Sequence, residues 1–132
     1  MTVTIHYNTP HAIVHISDPT SNEDPRLELT GVVTATDELI VVCTTPDCDG
    51  STRFRFSDDA ANTTHDLDMI QAFDGIVMTP SGVLDVNTSE LDRVFRFESL
   101  AYLTRVRIWV NHQNEPDKVD IVVERCVSLE RQ

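Results

Sequence analysis

Hydrophobic and polar positions alternate with a period of two along most of this chain, and no long stretch repeats with a helical period. Alternation places apolar side chains on one face of a β-strand, whereas an amphipathic helix needs apolar positions three and four residues apart. In Thr52–Ser57, for example, Phe54 and Phe56 point to one side and Arg53 and Arg55 to the other. The pattern therefore predicts a chain built almost entirely of strands.

Alternating segments recur roughly every 10 residues, from Thr2–Tyr7 at the start to Val119–Val127 at the end. We count about nine or ten short strands, which is typical of an antiparallel β-sandwich or barrel. Arg26–Thr36 is interpreted as one strand, or as two broken at Gly31. Because no linker, repeat or low-complexity stretch interrupts the series, the sequence predicts a single all-β domain over residues 1–132.

Two β-hairpins are predicted because turn-forming residues separate adjacent strands. They join Glu38–Thr45 to Thr52–Ser57, and Ile76–Thr79 to Val83–Val86. Asp49-Gly50 suits the first turn and Pro80-Ser81-Gly82 the second. The polar segment 58–66 is expected to be a loop or one helical turn, and a separate strand is expected from Leu67 to Phe73.

The chain is strongly acidic, with 22 Asp and Glu against 10 Lys and Arg and a net charge of −12. This balance argues against direct binding to nucleic acid, which needs clustered cations, and against an anionic membrane surface. All the basic residues except Lys118 are arginines. The composition resembles that of proteins from salt-loving archaea and their viruses, since molar salt shortens the Debye length to ~3 Å and so weakens repulsion within an acidic shell.

The charge is unevenly distributed. Residues 37–74 hold nine acidic side chains against Arg53 and Arg55, a balance of −7. A second arginine pair at i, i+2 shares a strand face with Trp109, an interface-type composition. The pattern defines a candidate protein interface, although for the arginines we favour the interpretation that they neutralise cross-strand carboxylates inside the fold. Its candidate residues are Asp47, Asp49, Asp58, Asp59, Asp66, Asp68, Arg53, Arg55, Arg105, Arg107 and Trp109.

No pattern of catalytic or metal-binding residues is found. The segment Asp47–Gly50 has the wrong register for an EF-hand, because Thr45 and Phe56 would occupy its first and twelfth positions. His11 and His15 are expected on a strand, where they would lie roughly 13 Å apart. There is no Gly-x-Ser-x-Gly and no Gly-rich phosphate loop. We therefore expect no cofactor, no metal and no enzymatic activity, and favour a solvated acidic loop over an irregular cation site.

The cysteines and the N-terminus bear on the cellular compartment. Cys43, Cys48 and Cys126 are odd in number, and free thiols are favoured over a bridge between the first two. The N-terminus has no signal-peptide pattern, and no apolar run reaches the ~20 residues of a membrane span. The protein is therefore expected to be soluble and made in the cytoplasm.

The first functional hypothesis is a non-enzymatic assembly protein. Most concretely, it would be a virion component of a virus infecting a halophilic host: a capsid decoration, head–tail joining or tail protein. The salt-adapted composition and the compact all-β pattern favour it. Its partners would be copies of itself or other virion subunits.

The alternative is an acidic inhibitor or immunity protein that binds a basic partner such as a nuclease. The strand order over the C-terminal half resembles that of the competence protein J family of nuclease inhibitors. The segments that carry the resemblance are Ile70–Phe73, Gly82–Val86, Phe95–Phe97 and Tyr102–Val106. The glycine expected before Tyr102 is absent, and no functional residues are carried over. The resemblance implies nuclease inhibition, in which the acidic surface from Asp47 to Asp68 would steer a basic partner.

Overall fold

The computed structural model describes residues 1–22 and 28–126, and ten strands form two five-stranded sheets within these ranges. The strands are β1 (Thr2–Tyr7), β2 (Ile13–Ser17), β3 (Val33–Ala35), β4 (Leu39–Cys43), β5 (Thr52–Ser57), β6 (Ile70–Met78), β7 (Leu84–Thr88), β8 (Arg93–Phe97), β9 (Leu103–Val110) and β10 (Lys118–Arg125). Short 3₁₀ turns occur at Pro10–Ala12, Asp47–Asp49 and Ala60–Asn62. The predicted all-β sandwich is confirmed.

The strand order is β1-β5-β10-β9-β6 in the first sheet and β3-β4-β2-β7-β8 in the second. Every pair is antiparallel except β5 and β10, which run parallel, so the predicted antiparallel sandwich contains one parallel pair. The parallel register sets Phe54 beside Val119 and Phe56 beside Ile121. All four side chains are fully buried, so the register aligns the inward faces of the two strands.

Both predicted hairpins were wrong, because each one joins strands of different sheets. β4 belongs to the second sheet and β5 to the first, and likewise β7 and β6. Turn-forming residues indicate where the chain reverses, but reversal within a sheet and crossover between two facing sheets use the same residue types. The hydrophobic run of β4, buried at Leu39–Val42, instead pairs with β2 and β3.

Other predicted strand limits also changed. The strands expected at Leu67–Phe73 and Ile76–Thr79 are one strand, β6, with a bulge between Gln71 and Phe73. Glycine at position 75 leaves room for the Phe73 side chain, because a Cβ there would lie 2.6 Å from the Phe73 ring. Of Arg26–Thr36 only β3 is a strand; residues 26 and 27 lie outside the described residues, as does Val127 at the end of the last predicted strand.

The core lies between the two sheets and contains mostly β-branched and aromatic side chains. Phe56 of the first sheet contacts two residues of the second sheet: its ring stacks on Phe95 of β8 at 4.4 Å between centroids and meets Phe97 edge-on at 6.0 Å.

No helix among the described residues is long and apolar enough to cross a membrane. The outward-facing side of the first sheet, which carries Arg53 and Arg55, is called the outer face below.

Candidate functional site

Asp120 lies at the centre of the outer face and is fully buried. Arg53 donates a 3.0 Å hydrogen bond from Nη2 to Oδ1 of Asp120, and Nη1 of Arg55 lies 3.7 Å from Oδ2. The parallel pairing of β5 and β10 produces this contact, because it sets Asp120 directly beside Arg55. A buried carboxylate is costly without paired charges and hydrogen bonds. Strand register thus surrounds Asp120 with the cations that it needs.

His65 is a third partner of Asp120. Its Nδ1 donates a 2.6 Å hydrogen bond to Oδ2 of Asp120, and its ring stacks on Trp109 with centroids 4.1 Å apart and planes 16° apart. The sequence reading missed both His65 and Asp120. The available signal was Asp120 itself, a carboxylate between Val119 and Ile121 in a strand, but its partners depend on register.

The acidic segment 58–69 lies across the outer face and is bonded to it. Its nearest cations are the arginines of β5 and the single lysine, which begins β10. The bonds run from Arg53 to Asp66 (2.9 Å), from Arg55 to the carbonyl of Thr64 (3.1 Å), and from Lys118 to Asp66 (3.3 Å) and Asp68 (3.2 Å). The first arginine pair and part of the predicted acidic surface therefore contact each other.

The second arginine pair is neutralised in the same way. Arg105 donates two hydrogen bonds, of 2.8 and 2.7 Å, to the carboxylate of Asp74 on β6. Arg107 lies 3.9 Å from Asp74 and 3.6 Å from Glu124, too far for a hydrogen bond. Both pairs are thus neutralised within the fold, as was favoured from the sequence. The charge of Arg107 is compensated, but its N–H groups make no hydrogen bond among the described residues.

The ion pairs stabilise the charged forms of their members. Hydrogen bonds from Arg53, and then from Lys118, lower the pKa of Asp66. The hydrogen bonds from Arg105 lower the pKa of Asp74 in the same sense, and hydrogen bonds to Asp68 and Asp66 raise the pKa of Lys118. These groups are all charged at neutral pH, so the outer face is an ion-pair network with little excess charge.

The other predicted interface residues lie elsewhere. The carboxylate of Asp58 pairs with the N-terminal amine at 3.0 Å, and that of Asp59 accepts hydrogen bonds from Asn62. Asp47 and Asp49 are exposed in their 3₁₀ turn, with no ion-pair partner within residues 1–22 and 28–126. The eleven candidates therefore do not form one continuous surface.

Asp47 and Asp49 belong to a larger acidic region at one end of the sandwich, in which Asp66 and Asp68 are paired with Lys118. The amide of Thr45 bonds to the carbonyl of Pro116 at 2.8 Å, which joins the two connecting loops there. We call residues 44–51, 65–69 and 111–118 the acidic end. Its charged residues are Asp47, Asp49, Asp66, Asp68, Glu115 and Asp117, with Lys118 as the one lysine. Leu67, fully exposed, lies among them.

Comparison with known proteins gives a structural likeness without a sequence family. No family model matches the chain, and no curated protein matches its sequence. The fold is similar to that of ComJ from Bacillus subtilis, an inhibitor of the DNA-degrading activity of NucA. The TM-score is 0.66 at 8% identity, over 93% of this chain and 95% of that one.

A second solved structure, described as crocagin biosynthetic gene J, has a TM-score of 0.55 at 12% identity, over 95% of this chain and 96% of that one. At these identities both matches show a shared fold. The similarity to ComJ spans nearly the whole sandwich, whereas the resemblance in strand order covered only the C-terminal half. Neither match supports a virion component, and the ComJ structure is that of an inhibitor rather than an enzyme.

Proposed function

We propose that this protein is a non-catalytic inhibitor that binds a basic protein, a nuclease being the best-supported class of target. The observation that carries the proposal is the likeness in fold, over nearly the full length of both chains, to an inhibitor of a DNA-degrading enzyme. The assembly hypothesis stays a prediction drawn from composition, and no feature of the described residues favours it.

The acidic end is the surface that we assign to this binding. Nucleases act on a polyanion, so their substrate surfaces are rich in cations and attract carboxylates. On the outer face the carboxylates are already bonded to arginines, whereas Asp47 and Asp49 have no ion-pair partner among the described residues. The uncompensated charge would accelerate the encounter, and Leu67 would supply apolar contact within the interface.

The test measures DNA degradation by purified basic nucleases, and by NucA of Bacillus subtilis, with increasing amounts of the protein. Nucleases captured on the immobilised protein from the producing organism are assayed in the same way. We expect stoichiometric inhibition of at least one nuclease, with an association rate that falls steeply as salt increases. The absence of inhibition across the panel and the captured nucleases would refute the proposed function.

Charge reversal locates the surface. The double variant Asp47→Lys, Asp49→Lys should slow association by about tenfold or more, because steering depends on charge at the contact surface. The matched control is Asp37→Lys, Glu98→Lys, which makes the same change in net charge at the opposite end of the sandwich. Equal effects of the two doubles would show that net charge, and not the acidic end, is responsible.

A further inference from the structure

A small pocket opens between segment 58–69 and the outer face. Its volume is about 230 Å³, and its polar lining comes from Thr63, His65, Gln71, Arg107 and Trp109. Arg107 and Trp109 are two residues apart on β9 and point to the same side, and Gln71 of β6 is the cross-strand partner of Trp109. Strand pairing therefore brings a guanidinium, an indole and an amide to one place.

These groups have unused hydrogen-bonding capacity. Among the described residues, no hydrogen bond is made by the side chains of Arg107, Gln71 or Trp109, or by Nε2 of His65. The guanidinium offers five N–H donors in a planar fork, the indole one and the amide two. Neither nearby carboxylate bonds to the Arg107 donors: Glu124 lies 3.6 Å away, beyond hydrogen-bond distance, and Asp74 bonds to Arg105 through both oxygens. The pocket thus has more free donors than acceptors.

One wall of the pocket, formed by His65 and Trp109, is held in place before any ligand binds. The His65 ring is fixed by its bond to Asp120 and by stacking on Trp109. Asp120 is in turn bonded by Arg53 and is fully buried, so it exposes no carboxylate to repel an anion in the pocket. A site with locked side chains loses less conformational entropy on binding than a mobile one.

We propose that this pocket binds a small oxyanion of the phosphate class. Several donors that converge from two strands match the multiple acceptor oxygens of phosphate, and the Arg107 fork can bond two of those oxygens at once. The volume exceeds that of a phosphate group, so room remains for part of the substituent of a phosphate monoester. The assignment rests on Arg107, Gln71 and Trp109, which lie outside the acidic end, and is therefore independent of the proposed inhibitor function. Of the pocket lining, only His65 also belongs to the acidic end.

Trp109 is the only tryptophan and lines the pocket, so its fluorescence reports on binding directly. The full chain is titrated with sodium phosphate at fixed pH, with sodium chloride added to keep the ionic strength constant. We expect a saturable change in emission. Arg107→Gln should raise the dissociation constant for phosphate about 10- to 100-fold, which is the change expected when a hydrogen bond from a charged group is lost.

Arg93→Gln is the matched control, because Arg93 is exposed on β8 of the other sheet and makes no ion pair among the described residues. It should bind phosphate like the wild type. A response that does not saturate, or one that is the same in wild type and Arg107→Gln, would overturn the proposal.

Gln71→Ala is a second variant, which removes an exposed amide and leaves the ion pairs intact; it should also weaken binding. Unchanged binding in this variant would remove Gln71 from the site and contradict the proposed geometry. Adenosine monophosphate is titrated in parallel. Tighter binding than phosphate assigns the site to phosphate monoesters, and equal or weaker binding assigns it to inorganic phosphate.

Discussion

His65 donates from Nδ1 to Oδ2 of Asp120 across 2.6 Å, although 55 residues separate the two in the chain. This contact fastens segment 58–69 to β10 and completes the shell of partners around a fully buried carboxylate. The segment that carries much of the acidic charge is thereby part of the ion-pair network of the outer face. What remains uncompensated is the charge of Asp47 and Asp49 in the acidic end, which have no ion-pair partner among the described residues.

Replacing Asp120 tests the importance of the network for stability. Asp120→Asn leaves Arg53 and Arg55 without their buried counter-charge, and loss of one partner of a buried pair is costly. Because the two arginine side chains are 16% and 22% exposed, we expect a loss of about 2–4 kcal/mol, below the range for a fully buried pair. Urea denaturation measures the loss. Asp68→Asn, at an exposed carboxylate bonded to Lys118, is the control and should change little.

The pKa shift of Asp74 predicts an acid-sensitive contribution to stability. Hydrogen bonds from Arg105 lower the folded-state pKa of Asp74 below its ordinary 3.8. The pair therefore stabilises the fold at pH values above 3.8, and that contribution is lost as the pH falls through the folded-state pKa.

The free energy of unfolding, measured by urea denaturation between about pH 6 and pH 3, should decline less steeply in Asp74→Asn than in the wild type. Asp49→Asn removes an exposed carboxylate that has no ion-pair partner among the described residues, so its profile should follow that of the wild type. Parallel profiles for wild type and Asp74→Asn would contradict the assignment.

Phe56 is predicted to be among the most sensitive core positions. It is fully buried, and its ring contacts Phe95 and Phe97 of the facing sheet. Phe56→Ala should destabilise the fold by about 3–5 kcal/mol, because truncation leaves a cavity between the sheets. Leu67→Ala is the control at a fully exposed residue, for which we expect a change within about 0.5 kcal/mol. Similar losses in the two variants would place Phe56 outside the core.

The three cysteines should all react as thiols in the native protein. All three are free, Cys48 is exposed, and burial raises the pKa of Cys43. Because the thiolate is the reactive form, Cys43 should be modified more slowly than Cys48. Alkylation over time, followed by peptide mass spectrometry, measures the order of labelling. A Cys43–Cys48 disulfide in the unreduced protein would contradict it.

Local patterns identified much of the fold before any pairing was known. The alternation in Thr52–Ser57 placed Phe54 and Phe56 inside and Arg53 and Arg55 outside, as the structure shows. Trp109 was likewise predicted on the face of Arg105 and Arg107, and all three share the outward side of β9. Such predictions succeed because a strand side chain chooses between only two faces, a choice made by nearest neighbours in sequence.

The sequence by itself determined the all-β class, the count of about ten strands and the excess of acidic charge. The tertiary structure alone decided which strands are neighbours, including the parallel pairing of β5 with β10 that sets Asp120 beside Arg55. It also decided that the acidic segment neutralises Arg53 and that Asp74 of β6 neutralises Arg105. The physical reason is that periodicity is local, whereas register and ion pairing join residues distant in the chain, through packing that alternation does not encode.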